Sequence, residues 1–210
     1  MGEKGTFQRL REKEKETRRR IILEAAERVF GRCPFDKVSM RQIAKEAGIS
    51  PAAIYRYFPD QQALFIESFL TGADRLVQRI KKIVDNRGTA VEVAGEVVTF
   101  LWENDHYFRM MTHFMLHGEI REDLLERLND MERRVLDHFQ AVFGEDSGGG
   151  ESRLVAHAFF AALNGVLITF RNYPGRAPEE VRRHMERIAG LIADLFVKGL
   201  RGESEPERVS

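Results

Sequence analysis

Three features of the sequence predict an all-α fold of about nine helices. Apolar residues recur at helical spacing almost everywhere, with no run of strand-like alternation. Ser, Thr or Asp stands at the head of several of these runs, twice with Gln or Glu three residues later, as in a capping box. Glycine or an Asn/Asp pair closes many of them.

The first helix is expected over 17–30, where Ile22, Ala25, Ala26, Val29 and Phe30 form one stripe and Gly31 is a stop. The charged run ahead of it reads equally as a solvated tail. Ser39 with Gln42 caps a second helix, with Ile43, Ala44 and Ala47 inward and Gly48 at its end. Ser50 caps a third, with Pro51 at the first helical position, where a missing N–H costs nothing. Asp60 caps a fourth, through Leu64, Phe65, Phe69, Leu76 and Ile80. Thr89 with Glu92 opens a fifth, and Asn104-Asp105 separates it from an aromatic and Met-rich helix, 106–117, closed by Gly118. Leu124, Leu128, Met131, Val135, Phe139 and Val142 mark the next. A flexible joint, Ser147-Gly148-Gly149-Gly150, precedes two last helices near 152–171 and 178–200, and residues 202–210 are expected to fray.

Composition narrows the class. At 43% hydrophobic and 31% charged, the 210 residues have the balance of an ordinary soluble protein. No apolar run is read as approaching the ~20 residues that span a bilayer, and the first twenty residues lack a secretory apolar core. The single Cys33 excludes an internal disulfide framework and a multi-cysteine metal site. A cytoplasmic protein is expected. The zero net charge hides an asymmetry: residues 1–58 hold 14 Lys/Arg against 8 Asp/Glu, and the rest hold 19 against 25. A basic end on an acidic body points to a polyanion partner for that end.

The helices within 39–58, joined by a glycine turn, fit a helix-turn-helix, whose second helix lies in the DNA major groove. Read this way, SPAAIYRYF is the recognition helix. Ile54 and Phe58 point to a core with Ile43 and Phe30. Pro51 and Ala52 let the backbone approach base pairs and meet thymine methyls. Arg56 reaches a guanine edge or a phosphate, and Tyr55 and Tyr57 offer hydroxyls to phosphates. The alternative is a small helical core with inward tyrosines.

The blocks RRRIILEAAERVF and FDKVSMRQIAKEAGISPAAIYRYFPDQQAL resemble the N-terminal domain of the TetR (tetracycline-repressor) family of bacterial transcription regulators. The likeness covers about a quarter of the chain, with caps, turn glycine and the Tyr-Phe pair in register. It implies a DNA-binding domain over 16–76 and a ligand-binding and dimerisation domain over 77–210. It makes Ser39, Met40 and Arg41 backbone contacts, and Ser50, Pro51, Ala52, Ala53, Tyr55, Arg56 and Tyr57 the recognition surface. Where the family often carries a phosphate-clamping lysine, this chain has Gln61, so that contact is uncharged and less salt-dependent. Arg18, Arg19 and Arg20 are candidates to compensate.

In the body, Ala158, Ala161, Ala162 and Gly165 are small enough for close helix approach, and Val181, Met185, Ile188, Ile192, Leu195 and Phe196 make a stripe. Two-fold dimers suit paired half-sites, and the resemblance implies a four-helix interface from the last two helices of each chain. The alternative is packing within one subunit. Trp102, Phe108, Met111, His113, Phe114 and Met115, with Phe160 and Asn164 opposite, are candidates to line a pocket for a small, largely apolar effector, although each is individually more at home in a core. His113 and His117 have the spacing of a metal pair, with only His106 and Glu119 nearby; no metal and no cofactor are expected. No HExxH, phosphate loop or G-x-S-x-G supports an enzyme. The expected function is a ligand-responsive repressor binding a palindromic operator as a homodimer, away from membranes; the rivals are a DNA-binding protein without effector and, more distantly, a helical enzyme.

Overall fold

The computed structural model describes residues 3–117, 121–143 and 149–202. Among them the elements are nine α-helices and one 3-10 turn (Phe35–Lys37), with no strand. The helices are α1 (Glu3–Phe30), α2 (Met40–Ala47), α3 (Pro51–Tyr55), α4 (Gln61–Asp85), α5 (Ala90–Glu103), α6 (Asp105–His117), α7 (Glu122–Phe143), α8 (Gly149–Phe170) and α9 (Pro178–Gly202). The expected break at Gly118, Glu119, the start of the joint at Ser147 and Gly148, and residues 203–210 lie outside the described residues. The second half of that joint is helical, because α8 already begins at Gly149.

Two boundaries differ from the sequence reading. Helix α1 starts at Glu3, about 20 Å of helix ahead of Thr17, because Glu, Lys and Arg are good helix formers and pairs such as Arg18–Glu14 support the turn. Helix α3 stops at Tyr55 rather than running to Phe58; a turn carries Arg56 to Phe58, closed by the Phe58 N–H to the Ile54 carbonyl at 3.0 Å.

The chain separates into two packed units, Met1–Gly72 with Asp105–Leu128, and Ala73–Asn104 with Asn129–Ser210. The linear division at 76/77 falls near the first crossing, but α6 and the start of α7 return to the first unit.

In the first unit, α1 packs on α2 and α6, and α2 packs on α3. Ile22, Ala25, Ala26 and Phe30 meet Ile43, Ile54, Phe58, Leu64 and Phe65 in the core, all buried. Phe65 is the hub of an aromatic cluster. Its ring lies edge-on to Phe30 at 4.9 Å and to Phe35 at 5.2 Å, and 6.5 Å from Phe69. Gly31 ends α1 without a left-handed cap: only Gly48 and Gly175 among the described glycines have positive φ. A Cβ on Gly31 would stand 2.6 Å from the His106 backbone, so its lack of a side chain lets α6 approach α1.

In the second unit, α9 packs on α5 and α8. The innermost α9 positions are Met185, Ala189 and Ala193, with Val181 also buried. Ile188, Ile192 and Phe196 are half-buried and Leu195 is exposed, so the stripe read from the sequence lies partly to one side of the true inward face. Alanines hold that face because α9 lies close against α5. Phe159 anchors the other side, with rings of Phe139, Phe143 and Phe196 within 5.0–5.6 Å.

Residues Ser152–Phe170 of α8 are a correction to the hydropathy reading. Their mean hydropathy of 1.5 over 19 residues is long and apolar enough to cross a membrane by composition, despite Arg153, His157 and Asn164. Only a third of that segment is buried. Its inner face packs in the second unit through Ala156, Phe159, Leu163 and Leu167, while Leu154, Ala158, Ala161, Gly165 and Ile168 form an exposed stripe on the other.

The Gly31–His106 contact sets a measurable expectation. Gly31→Ala should destabilise the protein by about 1–3 kcal/mol through overpacking, seen as a lower urea midpoint with an unchanged m-value.

Candidate nucleic-acid interface

Each helix of the 39–58 segment is locally specified. Ser39 Oγ accepts from the Gln42 N–H at 3.3 Å while Gln42 Oε1 accepts from the Ser39 N–H at 2.7 Å, closing the capping box. Gly48, at φ 68° and ψ 30°, ends α2 in the left-handed region, with the Gly48 N–H on the Lys45 carbonyl and the Ile49 N–H on Ala44. That is a Schellman motif, and it turns the chain into α3. Ser50 Oγ accepts from the Ala53 N–H at 3.3 Å, and Pro51 follows. Asp60 Oδ1 caps α4 through the Ala63 N–H at 2.8 Å.

Burial then sorts the candidate residues. Ile54 and Phe58 are wholly buried, which forces Pro51, Ala52, Tyr55 and Arg56 outward. Ala53 and Tyr57 are half-buried. Arg41 is exposed, and Lys45, one turn along, shares its face; the sequence reading passed over Lys45, although its i,i+4 spacing from Arg41 signals it. Met40 is a correction: at 7% exposure its side chain belongs to the core, because the first residue of α2 continues the buried face of Ile43 and Ala44. Ser39 is exposed, but its hydroxyl is engaged in the cap. Gln61 Nε2 donates to the Phe35 carbonyl at 2.7 Å, so one of its two N–H bonds ties α4 to the 3-10 turn.

The charges of the first unit are arranged unevenly. Glu46 accepts from Arg28 at 2.7 Å and lies 3.4 Å from Arg32. Asp60 meets Arg121 at 2.6 Å, and Glu67 is held between Arg19 and Arg127. The Arg28 hydrogen bond, foremost, holds the Glu46 carboxyl below its ordinary pKa. The Ala63 N–H, then Arg121, does the same for Asp60. Arg41, Lys45 and Arg56 make no ion pair among the described residues. The acids are thus neutralised internally, and the cations nearest α3 face solvent. Of the three arginines offered as substitutes for the missing lysine, Arg19 is occupied: it pairs with Glu67 and lies 5.4 Å over the Phe58 ring. Arg18 and Arg20 make only exposed pairs with Glu14 and Glu24, which bind weakly.

The residues expected to line an effector pocket divide between the two units. In the first, Phe108 and Met111 are buried, and Phe114 packs 5.0 Å from Phe69 and 6.2 Å from Phe65. His113 Nε2 accepts from the Phe35 N–H at 3.3 Å, and Met115 is exposed. In the second, the Arg171 guanidinium lies 5.2 Å over Trp102 and donates to the Leu101 and Trp102 carbonyls, capping the end of α5. The sequence reading did not foresee that clamp. Phe160 is half-buried. Asn164 is 8% exposed; its Nδ2 donates to the Phe160 carbonyl, and its buried Oδ1 has no partner among the described residues. No group of three or more His, Cys, Asp or Glu among the described residues is placed to hold a metal.

The geometry has counterparts among known proteins. Residues 22–67 match the family described as bacterial regulatory proteins, tetR family. The chain is 25% identical over 179 residues to the nucleoid occlusion factor SlmA of Idiomarina loihiensis, covering 83% of this chain and 89% of that protein. It is 20% identical over 200 residues to the fatty acid metabolism regulator protein of Bacillus subtilis, covering 91% and 100%. A similar fold occurs in the transcriptional regulator FadR from Bacillus subtilis in complex with stearoyl-CoA, at a TM-score of 0.66 and 20% identity over 85% of this chain and 97% of that one.

The Glu46 pairing carries a pH signature. A carboxyl depressed in the fold contributes stability above its unfolded pKa and loses it as the pH falls through the folded value. Glu46→Gln should therefore be less stable than the parent at neutral pH, and the gap should narrow as the pH drops below about 4.5, measured by denaturant unfolding across that range.

Proposed function

Given that the chain belongs to the tetR family of bacterial regulatory proteins, DNA-binding transcription regulators and not enzymes, we propose that it is a repressor. It binds a palindromic operator as a homodimer and is released by a small, largely apolar effector. One observation carries the DNA-binding part: Arg41 and Lys45 on α2 and Arg56 directly after α3 are exposed and make no ion pair among the described residues, and the small Pro51 and Ala52 at the start of α3 are exposed as well, while Glu46 and Asp60 are paired with arginines. Tyr55 and Tyr57 supply hydroxyls for phosphates, Arg56 the reach to a guanine edge, and the second amide N–H of Gln61 an uncharged backbone contact. With chromosomal DNA as its partner, the protein acts in the cytoplasm.

The homodimer is supported by the two-faced apolarity of α8. A helix apolar on all sides needs a partner on each side. Its outer stripe of Leu154, Ala158, Ala161, Gly165 and Ile168, beside the exposed Leu191 and Leu195 of α9, suits a close helix contact with a second copy. Ala162, Ile188 and Ile192 are half-buried at its margin. In this reading residues 16–76 serve DNA and 77–210 serve dimer and effector.

For the effector, the partnerless buried Oδ1 of Asn164 supports a polar handle in an apolar setting. The fatty acid regulator and the stearoyl-CoA complex among the similar proteins suggest an acyl chain as the first ligand to test. A DNA-binding protein with no effector is the second reading. It is favoured by the rings of Phe65, Phe69, Tyr107 and Phe114, which pack within 5.0–6.5 Å and fill their part of the first unit.

Two experiments test these parts. Selection from random duplex DNA should recover a motif repeated with two-fold symmetry, and Arg56→Ala should bind it about fivefold or more weakly with unchanged melting; full affinity in that variant removes Arg56 from the interface. Stearoyl-CoA should raise the melting temperature and release the operator, whereas acyl thioesters of graded length that do neither favour the reading without effector.

A further inference from the structure

We infer that the part of α1 ahead of the core is a second DNA-contacting element, in which Arg11, Lys15 and Arg18 form with Arg56 and Tyr57 a cationic groove for the sugar–phosphate backbone flanking the base pairs under α3. The inference rests on the DNA-binding reading of the first unit and extends it to a surface outside the helix-turn-helix.

Residues 6–18 of α1 are exposed throughout, so no apolar core holds this stretch. Positions 11, 15 and 18 lie at i, i+4 and i+7 and share one face. The order of charges along that face works against the free helix. Arg11 and Lys15 are like charges one turn apart, a pairing that destabilises a helix, although glutamates stand beside them at 12, 14 and 16. Only Arg18 is answered, by Glu14 at 2.6 Å. Arg11 and Lys15 make no ion pair among the described residues. A face that concentrates unopposed cations at a cost to its own helix has the character of a polyanion site.

The structure places that face against the end of α3. Arg11, Glu14, Lys15 and Arg18 line a solvent-open groove of about 270 Å³ with Arg56 and Tyr57. Arg56 directly follows α3 and makes no ion pair among the described residues, and Tyr57 is half-buried and lines the groove. The one acid in the groove, Glu14, is already matched. Three unopposed cations and a phenol beside the recognition helix suit the backbone of the duplex that α3 reads, because each cation that meets a phosphate releases condensed counterions. Such contacts position the protein without reading bases.

The test compares the parent, Arg11→Ala/Lys15→Ala, and Arg56→Ala on the selected operator, as the trimmed motif and with flanking base pairs added. Alanine keeps the helix, and melting and circular dichroism verify the fold of each variant. The double variant should keep its sequence preference, lose the gain in affinity that flanks give the parent, and show a shorter footprint. Its salt slope should be shallower by about 1.8, so that going from ~50 to ~200 mM salt costs it about 12-fold less affinity than it costs the parent. An unchanged slope, flank gain and footprint, with Arg56→Ala still weakened, overturns the inference and leaves the head's DNA binding standing; that result would also be expected if the cations served an acidic protein. If the parent binds no duplex at low salt, both readings fall.

Discussion

The five residues of α3 are too few to hold a helix by themselves. Nucleating a first turn is costly, and isolated helices much longer than this are marginal in water. Its existence and its direction therefore come from its surroundings: the left-handed Gly48 before it, the Ser50 cap, and the burial of Ile54 and Phe58. Once those two side chains are inside, helical geometry puts Pro51, Ala52 and Tyr55 outside. The exposed face of α3 is thus set by the core beneath it.

That core also governs the charges. Acids in the first unit sit where arginines of other elements reach them: Glu46 with Arg28, Asp60 with Arg121, Glu67 with Arg19 and Arg127. These pairs tie helices together and remove negative potential from the vicinity of α3. Around α3 itself, the exposed and unopposed charges named above are cations: Arg41 and Lys45 on α2 and Arg56 directly after α3. A chain of zero net charge presents a cationic end by this internal pairing as much as by composition.

The second unit solves a different packing problem. Ala189 and Ala193 let α9 lie close to α5, and bulky Phe159 fills the gap on the α8 side. Ala158, Ala161 and Gly165 of α8 are on its exposed face, whereas Ala156 is buried within the unit. Small residues can ease close approach inside a subunit or between subunits, and spacing does not separate the two uses; exposure does.

The sequence by itself determined what depends on neighbours in the chain. Both capping boxes, the Gly48 turn, the inward Ile54 and Phe58, and the α7 stripe were legible because caps, turns and amphipathic spacing are local. The tertiary structure decided what depends on distant partners. It buried Met40, bound Gln61 to Phe35 and Arg19 to Glu67, set Gly31 against His106, and divided the aromatic stretch 100–117 between two units. It also carried α1 back to Glu3 and set its cations beside Arg56. Local periodicity tells which face of a helix is apolar; only the packed chain tells which atoms stand opposite it, because those atoms come from residues tens of positions away.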